Sequence, residues 1–141
     1  MYVVDASVWV SRFLPSDAHY HPSRSWLGGR IEQGEILASP ALLLPEVGGA
    51  VARRTGSSEL ASRIISLLLG LSNLRLVPVE ADLTRTSAQL ASELRLRGAD
   101  ALYVALARQL AVPLVTWDQE QRQRSGDSVA ALTPEAALEH C

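Results

Sequence analysis

The 141-residue sequence predicts a single α/β domain, spanning residues 1–141, with a mostly parallel central sheet of four to five short strands flanked by helices. Two observations support this prediction. Short apolar runs alternate with longer segments of helical periodicity, which is the order typical of a parallel sheet. The chain also has the length of one globular domain, and its 48% hydrophobic and 20% charged residues exclude a disordered or fibrous protein.

The first half of the chain is divided into elements by its prolines and glycines. The apolar run at 3–4 ends at Asp5 and predicts a buried strand. Pro15 stops the helix that follows, whereas Pro45 is tolerated because N–H groups in a first turn have no intrahelical acceptor. The predicted elements are a strand at 3–4, a helix at 7–14, a loop at 15–22, a weak helix at 23–33, a strand at 36–39, a helix at 41–54 and a helix capped by Ser57 and Ser58.

The second half contains two adjacent helices that Gly98 separates. The first spans 81–97, and the second spans 99–111. From position 101 onward the second helix has only Arg108 and Gln109 as strongly polar residues, which predicts that it is buried. The remaining predicted elements are strands at 76–79 and 114–116, a polar helix at 119–124 and an edge strand at 129–131.

The residue types that are missing exclude several kinds of chemistry. All thirteen basic residues are arginines, so sites that depend on a P-loop lysine, a Schiff-base lysine or the lysine of dehalogenase-type phosphatases are excluded. Cys141 is the single cysteine, which excludes a disulfide framework and a cysteine-based zinc site. The longest apolar stretch, 64–71, is too short to span a membrane, and the N-terminus does not resemble a signal peptide. We therefore expect a cytoplasmic protein.

Four acids occupy positions where a carboxylate is costly. Asp5 and Asp118 follow predicted strands, at the edge where an open α/β sheet presents its site. Asp100 and Glu46 lie on helix faces that also carry apolar residues. Such carboxylates need a cation or hydrogen-bond donors. One shared divalent cation would explain all four, and ligands that are only oxygens favour Mg²⁺ or Mn²⁺ over zinc.

Simpler explanations exist for each acid taken alone. Asp5, Asp100 and Asp118 each precede a helical stretch, so each can be a helix N-cap. Glu46 can form an ion pair with Arg53 or Arg54.

Several other residues near these positions have an unexceptional explanation. Ser7 and Thr116 can hold waters beside a metal or act as ordinary turn hydroxyls, and the second explanation is favoured. The histidines are expected to be exposed: His19, His21 and His140. The tryptophans are expected in the core or at its rim: Trp9, Trp26 and Trp117. Gly48 and Gly49 are expected at a close helix contact, and Cys141 is expected to be inert.

Four segments together resemble the PIN-domain ribonucleases, in particular the VapC-type toxins of toxin–antitoxin pairs. They are Val-Val-Asp-Ala-Ser-Val at 3–8, Pro-Glu-Val at 45–47, Ala-Asp-Ala-Leu-Tyr-Val-Ala-Leu-Ala at 99–107 and Leu-Val-Thr-Trp-Asp at 114–118. Their order and spacing cover nearly the whole chain. The resemblance implies that Asp5, Glu46, Asp100 and Asp118 are catalytic and bind Mg²⁺ or Mn²⁺.

The resemblance also implies a PIN-like fold, endoribonuclease activity, a homodimer and a cognate antitoxin. The net charge of −2 becomes +2 when the four acids are set aside, so a mildly basic surface remains for RNA. Candidate phosphate contacts are Arg53, Arg54, Arg95, Arg97, Arg122 and Arg124. Alternatives are a stand-alone RNA-processing nuclease without antitoxin and a non-catalytic RNA-binding module.

Overall fold

A five-stranded sheet forms the centre of the protein in the computed structural model, which describes residues 1–139. The strands are β1 (Tyr2–Val4), β2 (Leu37–Pro40), β3 (Leu74–Val77), β4 (Leu114–Val115) and β5 (Ala131–Leu132). They lie in the order β3-β2-β1-β4-β5, and every neighbouring pair is parallel. The strand order reverses at β1, so a crevice is expected beyond the carboxyl ends of β1 and β4. The predicted parallel α/β fold is confirmed.

The described residues also form eight helices. They are α1 (Ala6–Phe13), α2 (Tyr20–Glu32), α3 (Leu43–Thr55), α4 (Ser58–Leu69), α5 (Ala81–Leu94), α6 (Gly98–Leu110), α7 (Gln119–Ser125) and α8 (Pro134–Glu139). No helix within residues 1–139 combines the length and the apolar character needed to cross a bilayer.

The helices cover the two faces of the sheet with different cores. On one face, α1 to α4 enclose a cluster that contains the buried Trp9 and Trp26. On the other face, α5 and α6 pack on the sheet, and α6 contributes small buried residues such as Ala101 and Ala105. The central part of α6 is buried, with Ala101 and the run from Tyr103 to Ala107 inside, which confirms the prediction for that helix.

Two strands lie at positions other than those predicted. β3 spans Leu74–Val77 and not 76–79, because Pro78 has no N–H with which to continue the ladder. β5 spans Ala131–Leu132 and not 129–131, because its position is set by pairing with β4, and Leu114 pairs with Ala131. Both differences are shifts along the chain that leave the sheet order intact.

Two helix boundaries also differ clearly from the prediction, and one helix was not predicted. α2 begins at Tyr20, within the predicted loop at 15–22, and its first turn accommodates Pro22. α5 ends at Leu94 because Arg95 adopts a left-handed conformation with φ of 57°. The six-residue α8 was not predicted, since it is too short to show a helical period. The sequence-based expectations for His140 and Cys141 lie outside the described residues.

Candidate active site

Two of the four predicted acids stand at the carboxyl ends of neighbouring strands. Asp5 follows β1 and is 6% exposed; its Oδ2 accepts hydrogen bonds from the Ser7 N–H and the Thr116 hydroxyl, both at 3.1 Å. Asp118 lies shortly after β4, and its Oδ1 accepts from the Gln121 N–H at 2.9 Å. Each carboxylate caps the helix that begins after it, so the capping explanation is correct for both. Capping occupies one oxygen of each group and leaves the other available.

The other two acids project from the first turns of helices. Glu46 on α3 is half-buried, and its Oε1 accepts a hydrogen bond from the Tyr103 hydroxyl at 2.6 Å. Asp100 on α6 is half-buried as well. The N-cap of α6 is Arg97, so the capping explanation for Asp100 is wrong. Within residues 1–139 the Asp100 carboxylate accepts no hydrogen bond; its backbone oxygen accepts one from the Gln121 side-chain amide at 3.2 Å.

The four carboxylates influence one another electrostatically. Burial raises the pKa of Asp5, against hydrogen bonds that lower it, and the charge of Asp118 raises it further. Burial and the charge of Asp5 raise the pKa of Glu46, although its hydrogen bond from Tyr103 lowers it. Burial and the charges of the other three acids raise the pKa of Asp100 to about 6. The structure therefore brings all four predicted acids into one electrostatic group, which we call the acid cluster.

The donor chemistry of the acid cluster fits a hard divalent cation. Among residues 1–139 none of its members forms an ion pair. Five of its oxygens accept no hydrogen bond within that part of the chain: Asp5 Oδ1, Glu46 Oε2, Asp118 Oδ2 and both oxygens of Asp100. As the side chains stand, however, no three His, Cys, Asp or Glu residues of that segment are gathered as ligands of one ion. The four-acid metal site stays a prediction.

Two hydroxyls tie the strand ends of the acid cluster together. Ser7 Oγ and Thr116 Oγ1 lie 3.4 Å apart, and Thr116 donates to Asp5. Ser7 Oγ accepts the Trp117 N–H at 3.1 Å, and Thr116 Oγ1 accepts the Asp118 N–H at 3.0 Å. The favoured explanation, that these are turn hydroxyls, is confirmed, and the turn they build is the one that carries the acids.

An open groove of about 540 Å³ adjoins the acid cluster. Its lining includes Ser7, Glu46, Arg53 and Arg54. Arg54 pairs with Asp17 at 2.8 Å, and Arg53 forms no ion pair within residues 1–139. The suggested ion pair of Glu46 with either arginine is therefore wrong. Arg53 is left as an exposed cation in the lining of this groove.

The remaining predicted phosphate contacts, which do not line this groove, are Arg95, Arg97, Arg122 and Arg124. Arg97 is exposed, and its charge lowers the pKa of Asp100. Arg122 donates to the Thr116 carbonyl at 3.1 Å and is half-buried. Arg124 pairs with Glu120 and donates to the Arg95 carbonyl. Within the described residues, the guanidinium groups of Arg95 and Arg97 form no hydrogen bond, unlike those of Arg122 and Arg124.

Sequence reasoning missed the residues that support the acids. Tyr103 lies three positions after Asp100 on an apolar helix, so the sequence could have indicated that its hydroxyl has a polar partner near the site. Gln121 is completely buried and links α7 to α6 through its bond to the Asp100 backbone. His19 and Trp117 stack on each other in the groove, with ring centroids 3.9 Å apart. No local sequence pattern predicts the contact between His19 and Trp117, since the two residues are far apart in the chain.

A comparison with protein families gives a match that covers most of the chain. The matching family model is described as the PIN domain, and it covers residues 2–126, a segment that contains the whole acid cluster. A sequence search of curated proteins gives no significant match.

Solved structures with the same fold include toxins and toxin–antitoxin complexes. VapC20 of Mycobacterium tuberculosis, described as a toxin that cleaves the sarcin–ricin loop, is 19% identical with a TM-score of 0.76 over 87% of this chain and 94% of that one. PAE2754 of Pyrobaculum aerophilum is 26% identical, with a TM-score of 0.70 over 99% and 87%. VapBC2 of Rickettsia felis, solved with a promoter DNA fragment, is 18% identical, with a TM-score of 0.69 over 92% and 96%.

Proposed function

Because the chain belongs to the PIN domain family, we propose that it is a metal-dependent endoribonuclease that cleaves RNA phosphodiester bonds at the acid cluster. One observation carries the proposal. Four carboxylates that form no ion pair within residues 1–139 influence one another electrostatically near the carboxyl ends of β1 and β4. Such a group is costly for the fold, and binding a divalent cation is the compensation that its oxygen donors favour.

The four acids have different proposed roles. Asp5 and Asp100 are the proposed direct ligands of Mg²⁺ or Mn²⁺, and Asp118 is a ligand or holds a water. Glu46 acts as a water-mediated ligand or as the general base. When bound, the cation supplies charge stabilisation for the phosphodiester and lowers the pKa of an attacking water.

The chain's own residues orient these groups. The Ser7 N–H and the Thr116 hydroxyl fix one oxygen of Asp5, so its other oxygen has a defined direction. The Tyr103 hydroxyl holds Oε1 of Glu46 and leaves Oε2 to accept a proton from water. Arg53 in the groove provides a positive charge for an RNA phosphate.

We also propose that the protein is the toxin of a toxin–antitoxin pair and forms a homodimer. Structures of similar fold include the toxin VapC20 and the VapBC2 assembly. A cognate antitoxin would then be the partner that covers the acid cluster. A stand-alone RNA-processing nuclease would use the same site but would have no antitoxin partner.

Metal binding and RNA cleavage are tested on the purified protein. A thermal melt in chelator should shift upward with Mg²⁺ or Mn²⁺, since a cation at a hundredfold excess over its Kd stabilises the fold by about 2.7 kcal/mol. Single-stranded RNA should be cleaved with either ion and remain intact in chelator. Absence of both a shift and cleavage with both ions would contradict the proposal.

The toxin role is tested in cells. Expression of the chain alone should arrest growth, and co-expression of the adjacent upstream reading frame should restore it and yield a copurified complex. Mapping of RNA 5′ ends after induction should identify the cut sites. A harmless chain with no such neighbour, but with RNA cleavage in vitro, would favour the stand-alone nuclease.

A further inference from the structure

The groove beside the acid cluster contains a pair of stacked rings. The His19 imidazole and the Trp117 indole lie 3.9 Å apart at an angle of 8°, and both line the groove. His19 is exposed and Trp117 is half-buried, whereas the other two tryptophans, Trp9 and Trp26, are 1% exposed. This pair therefore presents flat aromatic surface where the core tryptophans do not.

Hydrogen bonds hold the Trp117 ring and the backbone of His19. The Trp117 indole N–H donates to Ser23 Oγ at 2.7 Å, and Ser23 is bonded in turn to Ser11 at 2.6 Å. The His19 backbone N–H donates to Asp17 Oδ1 at 2.8 Å, while Asp17 Oδ2 pairs with Arg54 at 2.8 Å. The stack is thus anchored from two sides before any ligand is bound, which lowers the entropy cost of binding.

The stack is directly connected to the acid cluster. Trp117 immediately precedes Asp118, and its backbone N–H donates to Ser7 Oγ at 3.1 Å. The same groove is lined by Glu46 and by Arg53, whose guanidinium lies where a side chain at Gly49 would meet it at 3.0 Å. A flat surface, a cation and the acids therefore share one open groove.

Resting on the proposed function, we propose that the His19–Trp117 stack is a nucleobase subsite that holds the base of a nucleotide adjacent to the scissile phosphate. Every base has a π-face, so stacking on aromatic rings binds single-stranded RNA with little dependence on sequence. Arg53 would then contact a phosphate of the same nucleotide. The subsite selects unpaired RNA, because a base within a duplex has its faces covered by its neighbours.

Steady-state cleavage of a single-stranded RNA tests the subsite. Trp117→Leu and His19→Ala should each raise KM by about tenfold, the loss typical of one base stack, with kcat changed much less. Trp117→Phe keeps a ring without the bond to Ser23 and should recover most of the affinity. His21→Ala is the matched control, since this exposed histidine lies two residues away and outside the groove.

Tryptophan fluorescence gives a second readout that does not depend on cleavage. In an Asp100→Asn background with Mg²⁺, an eight-nucleotide RNA should quench the emission of Trp117, and an abasic oligomer of equal length should not. Equal quenching by both oligomers, or an unchanged KM for a folded Trp117→Leu protein, would overturn the subsite and leave the proposed nuclease intact. Absence of RNA cleavage by the parent protein with either ion would instead overturn the proposed function.

Discussion

The two acids that follow strands are held differently from the two acids carried by helices. Asp5 and Asp118 each accept a backbone N–H and cap a helix, so they contribute to folding as well as to the site. Glu46 has one hydroxyl partner, and the Asp100 carboxylate has no hydrogen-bond donor within residues 1–139. One edge of the sheet can therefore combine acids that stabilise the fold by capping helices with acids that contribute no such cap.

Asp100→Asn should produce the largest effect on activity. The substitution removes a proposed ligand charge but keeps the side chain's shape, and Asp100 is not a cap whose loss would unfold α6. Cleavage of RNA should fall by orders of magnitude, while the free energy of unfolding in chelator stays equal or rises slightly because one repelling charge is gone. Cleavage assays and chemical denaturation in chelator check both parts. A folded variant that cuts at the parent rate would contradict the metal site.

Tyr103→Phe should have the next largest effect. It removes the 2.6 Å hydrogen bond to Glu46, and a bond to a charged group contributes about 1.5–3 kcal/mol to stability. That bond lowers the pKa of Glu46, so its loss should also raise this pKa. If Glu46 is the general base, the acidic limb of the pH–rate profile should move to higher pH. If the acidic limb of the profile does not move, a group other than Glu46 is the general base.

Asp118 allows the capping role to be separated from the catalytic one. Asn is about as good an N-cap as Asp, whereas Ala costs about 1 kcal/mol at such a position. Asp118→Asn should therefore lose activity without losing stability, and Asp118→Ala should lose both. Urea denaturation of the two variants beside the parent measures the difference. Equal stability of both variants would show that the bond to Gln121 contributes nothing to α7.

The pH dependence of stability should show the smallest effect, because water screens the half-buried Asp100. Its pKa is about 6 in the folded protein, above its ordinary value, so the folded state binds more protons between about pH 4 and 6. Without metal, stability should then fall as pH rises through this window, and Asp100→Asn should lack that part of the decline. Denaturation of both proteins in chelator at several pH values checks the difference. Parallel pH curves would place Asp100 outside the acid cluster.

The fold class and the positions of all four acids could be predicted because both depend on local signals. Buried strands appear as apolar runs, and the residue after such a run stands at the sheet edge, as Asp5 does. The positions of β5 and α8 could not be predicted, since elements of two and six residues carry too little periodicity. The hydrogen bond between Tyr103 and Glu46 joins helices on opposite faces of the sheet, which no local pattern predicts.

The three-residue strand β1 has a consequence for how this protein can change over time. Val3 packs into the core on one face of the sheet, Val4 into the core on the other face, and Asp5 into the acid cluster. A one-residue insertion or deletion between them would reverse every side-chain direction and place a carboxylate where a valine belongs. Selection on either core therefore also preserves the register of the site, so this segment does not tolerate a change in length.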